Sequence, residues 1–187
     1  MEPRDARTKK TPLGLFVYKI KDLSIMFIMS ASKIQFRQFR SSDLPAVKNV
    51  HELALKAIDM YSTGHWNDDL DDIAKNYLDN GGDFVVGTLD GHIVAIGAFK
   101  KLSASTAEIK RMRVLPELQG QGIGKMLLKH LEEEIKKLGY KEIELHTTIK
   151  QQAAQKLYGD NGYREFKRET KGWPFEVIFY KKGLLES

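Results

Sequence analysis

From residue 34 onward the spacing of hydrophobic positions changes repeatedly, and each change marks an element. Ile34, Phe36 and Phe39 alternate with polar neighbours up to Arg40, which predicts a half-buried strand. Ser41-Ser42-Asp43 offer N-cap side chains, and Leu44, Val47, Val50, Ala54, Ala57 and Ile58 follow at helical spacing. A second, shorter helix is expected from Asp68 to Leu78, with an acidic first turn and a stop at Asn80-Gly81-Gly82. Phe84–Leu89 and Ile93–Phe99 flank Asp90-Gly91, a pair that supplies the positive φ angles of a tight hairpin. Ala107–Val114 reads as another strand. A long helix follows, with Ile123, Leu127, Leu131, Ile135 and Leu138 on one face, and Gly139 ends it. Lys141–Thr147 alternates, Gln151–Tyr158 is helical, and Tyr163–Glu169 and Phe175–Lys182 close the chain as strands. The order β-α-α-β-β-β-α-β-α-β-β implies a mixed sheet, mostly antiparallel, with helices on both faces, within the α/β or α+β class.

The first 32 residues follow a different pattern. Met1 to Pro12 is polar and basic, and Leu13 to Met29 is apolar but interrupted by Lys19, Lys21 and Asp22. That interruption excludes a membrane span, which needs about 20 mostly apolar residues. It also argues against a cleaved leader, since no Ala-x-Ala site follows. Residues 1–32 are therefore read as an N-terminal extension of unknown role, 33–183 as one domain and 184–187 as a tail. Met29 would make a natural start for the domain.

Composition narrows the chemistry. The chain has no Cys, so disulfides, thiolate nucleophiles and Cys-based zinc sites are excluded. Net charge is +5, a scattered excess unlike the clustered stripe of a nucleic-acid binder and suited to a small polyanion. The five His (His51, His65, His92, His130, His146) show no metal-ligand spacing, and His146, at the end of a strand, is the one to watch.

Gln119-Gly120-Gln121-Gly122-Ile123-Gly124 stands between a strand and the long amphipathic helix. Glycine admits a ligand close to the backbone, and the first amides of a helix have no internal partners, so this junction suits a phosphate. The nucleoside-triphosphate loop G-x-x-x-x-G-K-[ST] fails at Gln119 and Met126, and the dinucleotide fingerprint fails because the spacing is G-x-G-x-G.

The same run resembles the Q/R-x-x-G-x-G/A signature of the GNAT superfamily of N-acetyltransferases. Ala154-x-x-Leu157-Tyr158 followed by Asn161-Gly162-Tyr163 resembles the family's closing motif. The family often has Asn three residues before that Ala; here the position holds Gln151. The resemblance spans about Lys33 to Gly183. It implies acetyl-CoA as co-substrate, without a metal, in a V-shaped opening where two parallel strands splay. The pyrophosphate would rest on the amides of Gln119, Gly120, Gln121, Gly122, Ile123, Gly124 and Lys125, with Lys125, Lys129 or Lys156 near the 3′-phosphate. The pantetheine arm would lie along the backbone of Met112, Arg113 and Val114 and near Gln151.

An alkyl amine acceptor is protonated near neutrality, and freeing its lone pair at pH 7 costs roughly 4.6 kcal/mol. Glu108, eleven residues before Gln119, matches the place of a general-base Glu in some family members, and burial is expected to raise its pKa toward that task. The resemblance places the Tyr158 hydroxyl near the sulfur as the acid for the departing thiolate. The acceptor wall is expected around Met60 to Asp72, where Asp68, Asp69, Asp71 and Asp72 offer a receptor for a cationic amine. The resulting reading is a cytoplasmic acetyltransferase that moves acetyl to a primary amine by direct attack through a tetrahedral intermediate, with a backbone amide near Val114 as oxyanion donor. A protein lysine or N-terminal acetyltransferase and a non-catalytic acyl-CoA-binding regulator are the alternatives. The expected partners are a small-molecule or peptide amine and, as an open point of assembly, a second copy in a homodimer. No nucleic acid or membrane is expected.

Overall fold

The computed structural model describes residues 34–60, 65–172 and 174–184, so the N-terminal extension and every reading placed on it lie outside the described residues. Within them the alternating segments form β1 (Gln35–Gln38), β2 (Asp83–Leu89), β3 (His92–Lys101), β4 (Thr106–Val114), β5 (Glu142–Thr148), β6 (Arg164–Glu169) and β7 (Val177–Gly183). The helical segments form α1 (Leu44–Lys56), α2 (Ile73–Asn76), α3 (Ile123–Lys137) and α4 (Gln152–Asp160). The strands make one sheet in the order β1-β2-β3-β4-β5-β7-β6, antiparallel throughout except for the parallel pair β4–β5. This is the expected mixed architecture.

Each face of the sheet has its own core. On one, Leu127, Leu131 and Ile135 of α3 pack on Ala95, Phe99, Ala107 and Ile109, with Tyr158 of α4 in the same cluster. On the other, Val47 and Val50 of α1 and Ile73 of α2 pack on Phe84, Val86, Ile96 and Ala98. Gly97 lets the leucines of α3 lie against the sheet: a Cβ there would lie 2.9 Å from Leu131 Cδ1, so a side chain would have to displace Leu131 and Leu127.

The second helix is shorter than the pattern predicts. Only Ile73–Asn76 is α-helical, between 3₁₀ turns at His65–Leu70 and Leu78–Asn80. The aspartates are the cause, because they bond locally or across the fold instead of continuing a helix. Asp72 caps α2 by accepting from the Lys75 amide at 3.1 Å, and Asp71 pairs with Lys48 at 2.7 Å. At the other end of the chain, the Leu184 amide donates to the Lys141 carbonyl at 2.7 Å and its side chain packs on the larger core, one residue past the expected domain end.

The parallel pair β4–β5 opens part-way along. Pairing runs from Thr106↔Glu142 to Ile109↔Leu145 and stops there. Beyond Ile109, β4 stays bonded to β3, while β5 stays bonded to β7 over its full length, from Glu142↔Gly183 to Thr148↔Val177. The two inner edges therefore part, leaving backbone donors and acceptors facing a gap.

Candidate functional site

A β-bulge in β4 decides which side chains face that gap. Ala98 pairs with Lys110 and Ile96 with Arg113, so Arg111 and Met112 together oppose the single residue Gly97. Arg111 sits at φ 56°, an uncommon angle for a residue with a Cβ. The extra residue shifts the alternation by one. Met112 and Val114 join Ala107 and Ile109 on the α3 face, while Arg111 reaches Asp69 on the opposite face.

Asp69 is thus consumed inside the protein. Its carboxylate accepts from Nε and Nη2 of Arg111 and from the Tyr77 hydroxyl, and it is held below its ordinary range: burial opposes ionisation, but the Arg111 bonds outweigh it. Arg111 also donates to Asn67 Oδ1 at 3.3 Å, an oxygen that lies 2.8 Å from His51 Nε2. With Asp71 paired to Lys48 and Asp72 capping α2, the expected acidic receptor for a cationic amine is not formed by these side chains. Residues 61–64 of that stretch lie outside the described residues.

Two cavities adjoin where the strands part. The first, about 440 Å³, lies toward α1 and is lined by Lys110, Arg111, His146, Thr148 and Phe175 among others. The second, about 470 Å³, lies toward α3 and α4 and reaches Gly120, Gly122, Gly124 and Lys125. Met112, Arg113, Gln151, Ala154 and Tyr158 line both and form the wall between them.

The glycine loop is shaped as a cradle. Gly120 and Gly122 have φ of 75° and 86°, and a Cβ on either would meet nothing within 4 Å. They are glycines for the backbone angle and for the open space above it, not for packing. Gly122 caps α3, whose first bond runs from the Met126 amide to the Gly122 carbonyl, so the amides of Ile123, Gly124 and Lys125 precede the helix's own acceptors. A diphosphate fits there: bare amides, a helix dipole and Lys125 in one concave wall. The Ile123 side chain, by contrast, is buried in the core, and Gln121 does not line the cavity; its amide donates to the Glu117 carbonyl at 3.4 Å. Gln119 braces the loop by donating to the Val114 carbonyl at 3.0 Å, and Gln151 caps β5 by accepting from the Thr147 hydroxyl at 2.7 Å.

The model of the acetyltransferase (GNAT) family matches residues 48–163, more than half of the chain, including β4, the glycine loop, His146 and Tyr158. The chain belongs to the GNAT family of acetyltransferases. A crystal structure of a GNAT acetyltransferase from Staphylococcus aureus Mu50 superposes with a TM-score of 0.74 at 26% identity, covering 81% of this chain and 99% of that one. A structure of yncA from Salmonella typhimurium with its cofactor acetyl-CoA shares the fold, with a TM-score of 0.66 at 19% identity over 83% and 96% of the two chains. Among curated proteins, an aminoalkylphosphonate N-acetyltransferase of Salmonella typhimurium is 41% identical over 58 residues, 31% of this chain and 38% of its own length. The match thus spans well under half of that relative.

The expected catalytic residues of this GNAT-family chain are placed unequally. Tyr158 is buried on the shared wall, beside the rings of Tyr163 and Tyr180 at 5.8 and 6.0 Å. Burial pushes its hydroxyl up to about 12, against a smaller opposing effect of Arg113. Glu108 does not line either cavity. Its carboxylate lies 3.2 Å from His146 Nδ1, with Lys100 and Lys110 at 3.4 and 3.5 Å. Burial works to raise it, but the His146 hydrogen bond and the two lysines prevail and hold it down to about 2, which reverses the rise expected from the strand position. His146 itself lines the first cavity.

Three contributors were not singled out from the sequence. His51 is buried on α1, and burial together with Arg113 lowers it to about 4, so it is neutral. The other two are the Arg111–Asp69–Tyr77 cluster and the Arg113 side chain. Among the described residues no group of three or more His, Asp or Glu is placed to hold a metal, and no helix is long and apolar enough to cross a membrane.

Proposed function

We propose that this chain transfers acetyl from acetyl-CoA to the amine of a small acceptor by direct attack, without a protein nucleophile. The observation that carries this reading is the shared wall: donor-side and acceptor-side cavities adjoin at the splay, and Tyr158 lines both. Acetyl-CoA in the second cavity would be held by the glycine-loop amides, Lys125 and the unpaired edge of β4 at Met112, Arg113 and Val114, and it supplies an activated acetyl thioester. An acceptor cavity of about 440 Å³ suits a small molecule or a single side chain better than a folded protein surface.

The chain's own groups divide the proton work. Tyr158 keeps its proton at neutral pH because burial disfavours the phenolate, and it gives that proton to the leaving sulfur. His146 is the base. A carboxylate only accepts, so Glu108 holds the proton on His146 Nδ1 and makes Nε2 the nitrogen that takes the proton of the acceptor's ammonium. Glu108 is then a positioning residue, not the base itself.

The test is a CoA-release assay with amino acids, polyamines, aminoglycosides and Lys peptides. Turnover of a small amine is the expected result. Tight acetyl-CoA binding without turnover on any acceptor would replace catalysis by acyl-CoA sensing.

A further inference from the structure

The cations of the acceptor cavity are not equally paired. Lys110 faces Glu108, a carboxylate shared with Lys100 and His146. Arg111 has a bidentate partner in Asp69. Arg113 has no carboxylate partner among the described residues: its Nη1 donates to the neutral Met112 carbonyl at 2.7 Å, and its buried Nε has no hydrogen-bond partner at all. Burial first, and the neighbouring Arg111 second, push this guanidinium down to about 10, the mark of a positive charge held without a counterion.

A guanidinium presents a planar fork that matches a carboxylate or phosphonate. Two sources could supply such an acid, the acceptor or the cofactor's own phosphates. Arg113 lines both cavities, and the bulge sets which face of the sheet its side chain takes. The bulge turns Met112 and Val114 toward α3 and the glycine loop, and Arg111 toward Asp69 and α1. Arg113, like Arg111, acts on His51 of α1. The phosphate cradle of Gly120, Gly122 and the α3 N-terminus has its own amides and Lys125, whereas the cavity of Lys110, Arg111 and His146 does not reach that loop.

We infer that the acceptor is an amino acid-like molecule, a primary amine carrying a carboxylate or phosphonate, whose acid group docks on Arg113 with Lys110 nearby. This rests on the acetyltransferase reading above and adds the acceptor class. The amine end is then directed at His146, which shares the cavity, and Arg113 fixes which end of the molecule reaches the thioester. The exposed Asp59 lines the same cavity and carries the charge opposite to an ammonium.

The experiment compares 3-aminopropylphosphonate and β-alanine with the neutral isosteres 3-aminopropanol and propylamine, in wild type, Arg113→Lys and Arg113→Met. Wild type should favour the acidic amines by about 10- to 100-fold in kcat/KM, the range a charged hydrogen bond spans. Arg113→Met should bring the two sets close to parity and Arg113→Lys should lie between, while calorimetry shows folded protein still binding acetyl-CoA, which meets this strand through backbone groups that both substitutions keep. Propylphosphonate, which has no amine, gives a readout free of turnover: it should bind wild type saturated with acetyl-CoA, and Arg113→Met should not bind it. A preference for neutral amines, or an Arg113→Met variant that keeps the acid preference but loses acetyl-CoA affinity, would overturn the inference and assign the guanidinium to the cofactor. If no amine is acetylated, the acetyltransferase reading fails, and the propylphosphonate titration still decides the anion site, absence of binding in wild type ending it.

Discussion

His146 Nδ1 and Glu108 Oε1 lie 3.2 Å apart across the last paired rung of the splay, one side chain on β5 and the other on β4. The pair joins two strands that separate immediately beyond it, and it sets the orientation of the imidazole in the first cavity. His146→Gln should therefore lower kcat/KM by about 10²-fold or more near neutral pH, with part of the loss recovered at alkaline pH where solvent frees the amine. Glu108→Gln should cost less and move the acidic limb of the profile, because an amide oxygen still accepts from Nδ1 but carries no charge. A pH–rate profile for each variant checks this, and curves that superimpose on wild type would leave the pair a structural bridge.

Tyr158→Phe keeps the ring among Tyr163 and Tyr180 and removes only the hydroxyl. The expected outcome is a fall in kcat of about 10²–10⁴-fold with little change in acetyl-CoA affinity or melting temperature. The defect should shrink with an acyl donor whose thiol leaves more easily. Steady-state kinetics with both donors, beside a melting curve, measures it; lost activity that follows lost stability would return the residue to the core.

Gly122 holds φ 86° with nothing within 4 Å of the place a Cβ would take. Gly122→Val would both strain the loop and fill the cradle, so calorimetry should show acetyl-CoA binding lost. Gly122→Asn, whose side chain tolerates this backbone region better, should fold more normally and still bind weakly. Wild-type affinity in the Asn variant would show that the space above the loop is not where the ligand lies.

His51 makes stability depend on pH. Its folded pKa is lowered to about 4 from an ordinary 6.5, so the unfolded chain binds the extra proton first. Its contribution is complete above about pH 6.5 and is lost as pH falls through the window down to about 4, roughly 3 kcal/mol at full extent. Urea melts of wild type and His51→Gln between pH 7 and 4 should converge as the pH falls. Parallel curves across that range would show that burial does not keep this imidazole neutral.

Periodicity carried the order of elements because most strands here are half-buried or fully buried runs bounded by Gly, Asp or Asn. It did not carry the bulge. Simple alternation along Ile109-Lys110-Arg111-Met112-Arg113 places Arg111 and Arg113 with Ile109, and no glycine or proline in that run marks the extra residue. The reversal of faces that brings Arg111 onto Asp69 was therefore invisible, and with it the loss of Asp69 from the acidic acceptor wall. His51 was within reach: it stands four residues after Val47 and three before Ala54, on the face the spacing already assigned to the core. The glycine loop was readable because its backbone angles depend on local chain chemistry, and Tyr158 came only through the family resemblance, whereas the charge of Glu108 is set by Lys100, Lys110 and His146, which only the assembled sheet brings beside it.

The outer edges of the splayed strands have a kinetic consequence. With β4 held by β3 and β5 zipped to β7 along all seven of its residues, neither arm of the V relies on the other to keep its shape. The slot therefore stands ready before anything enters it, and little chain entropy has to be surrendered on association. On the proposed acetyl-CoA reading, capture by such a slot should be governed by diffusion and by the field of its cations rather than by the waiting time for a gate to open.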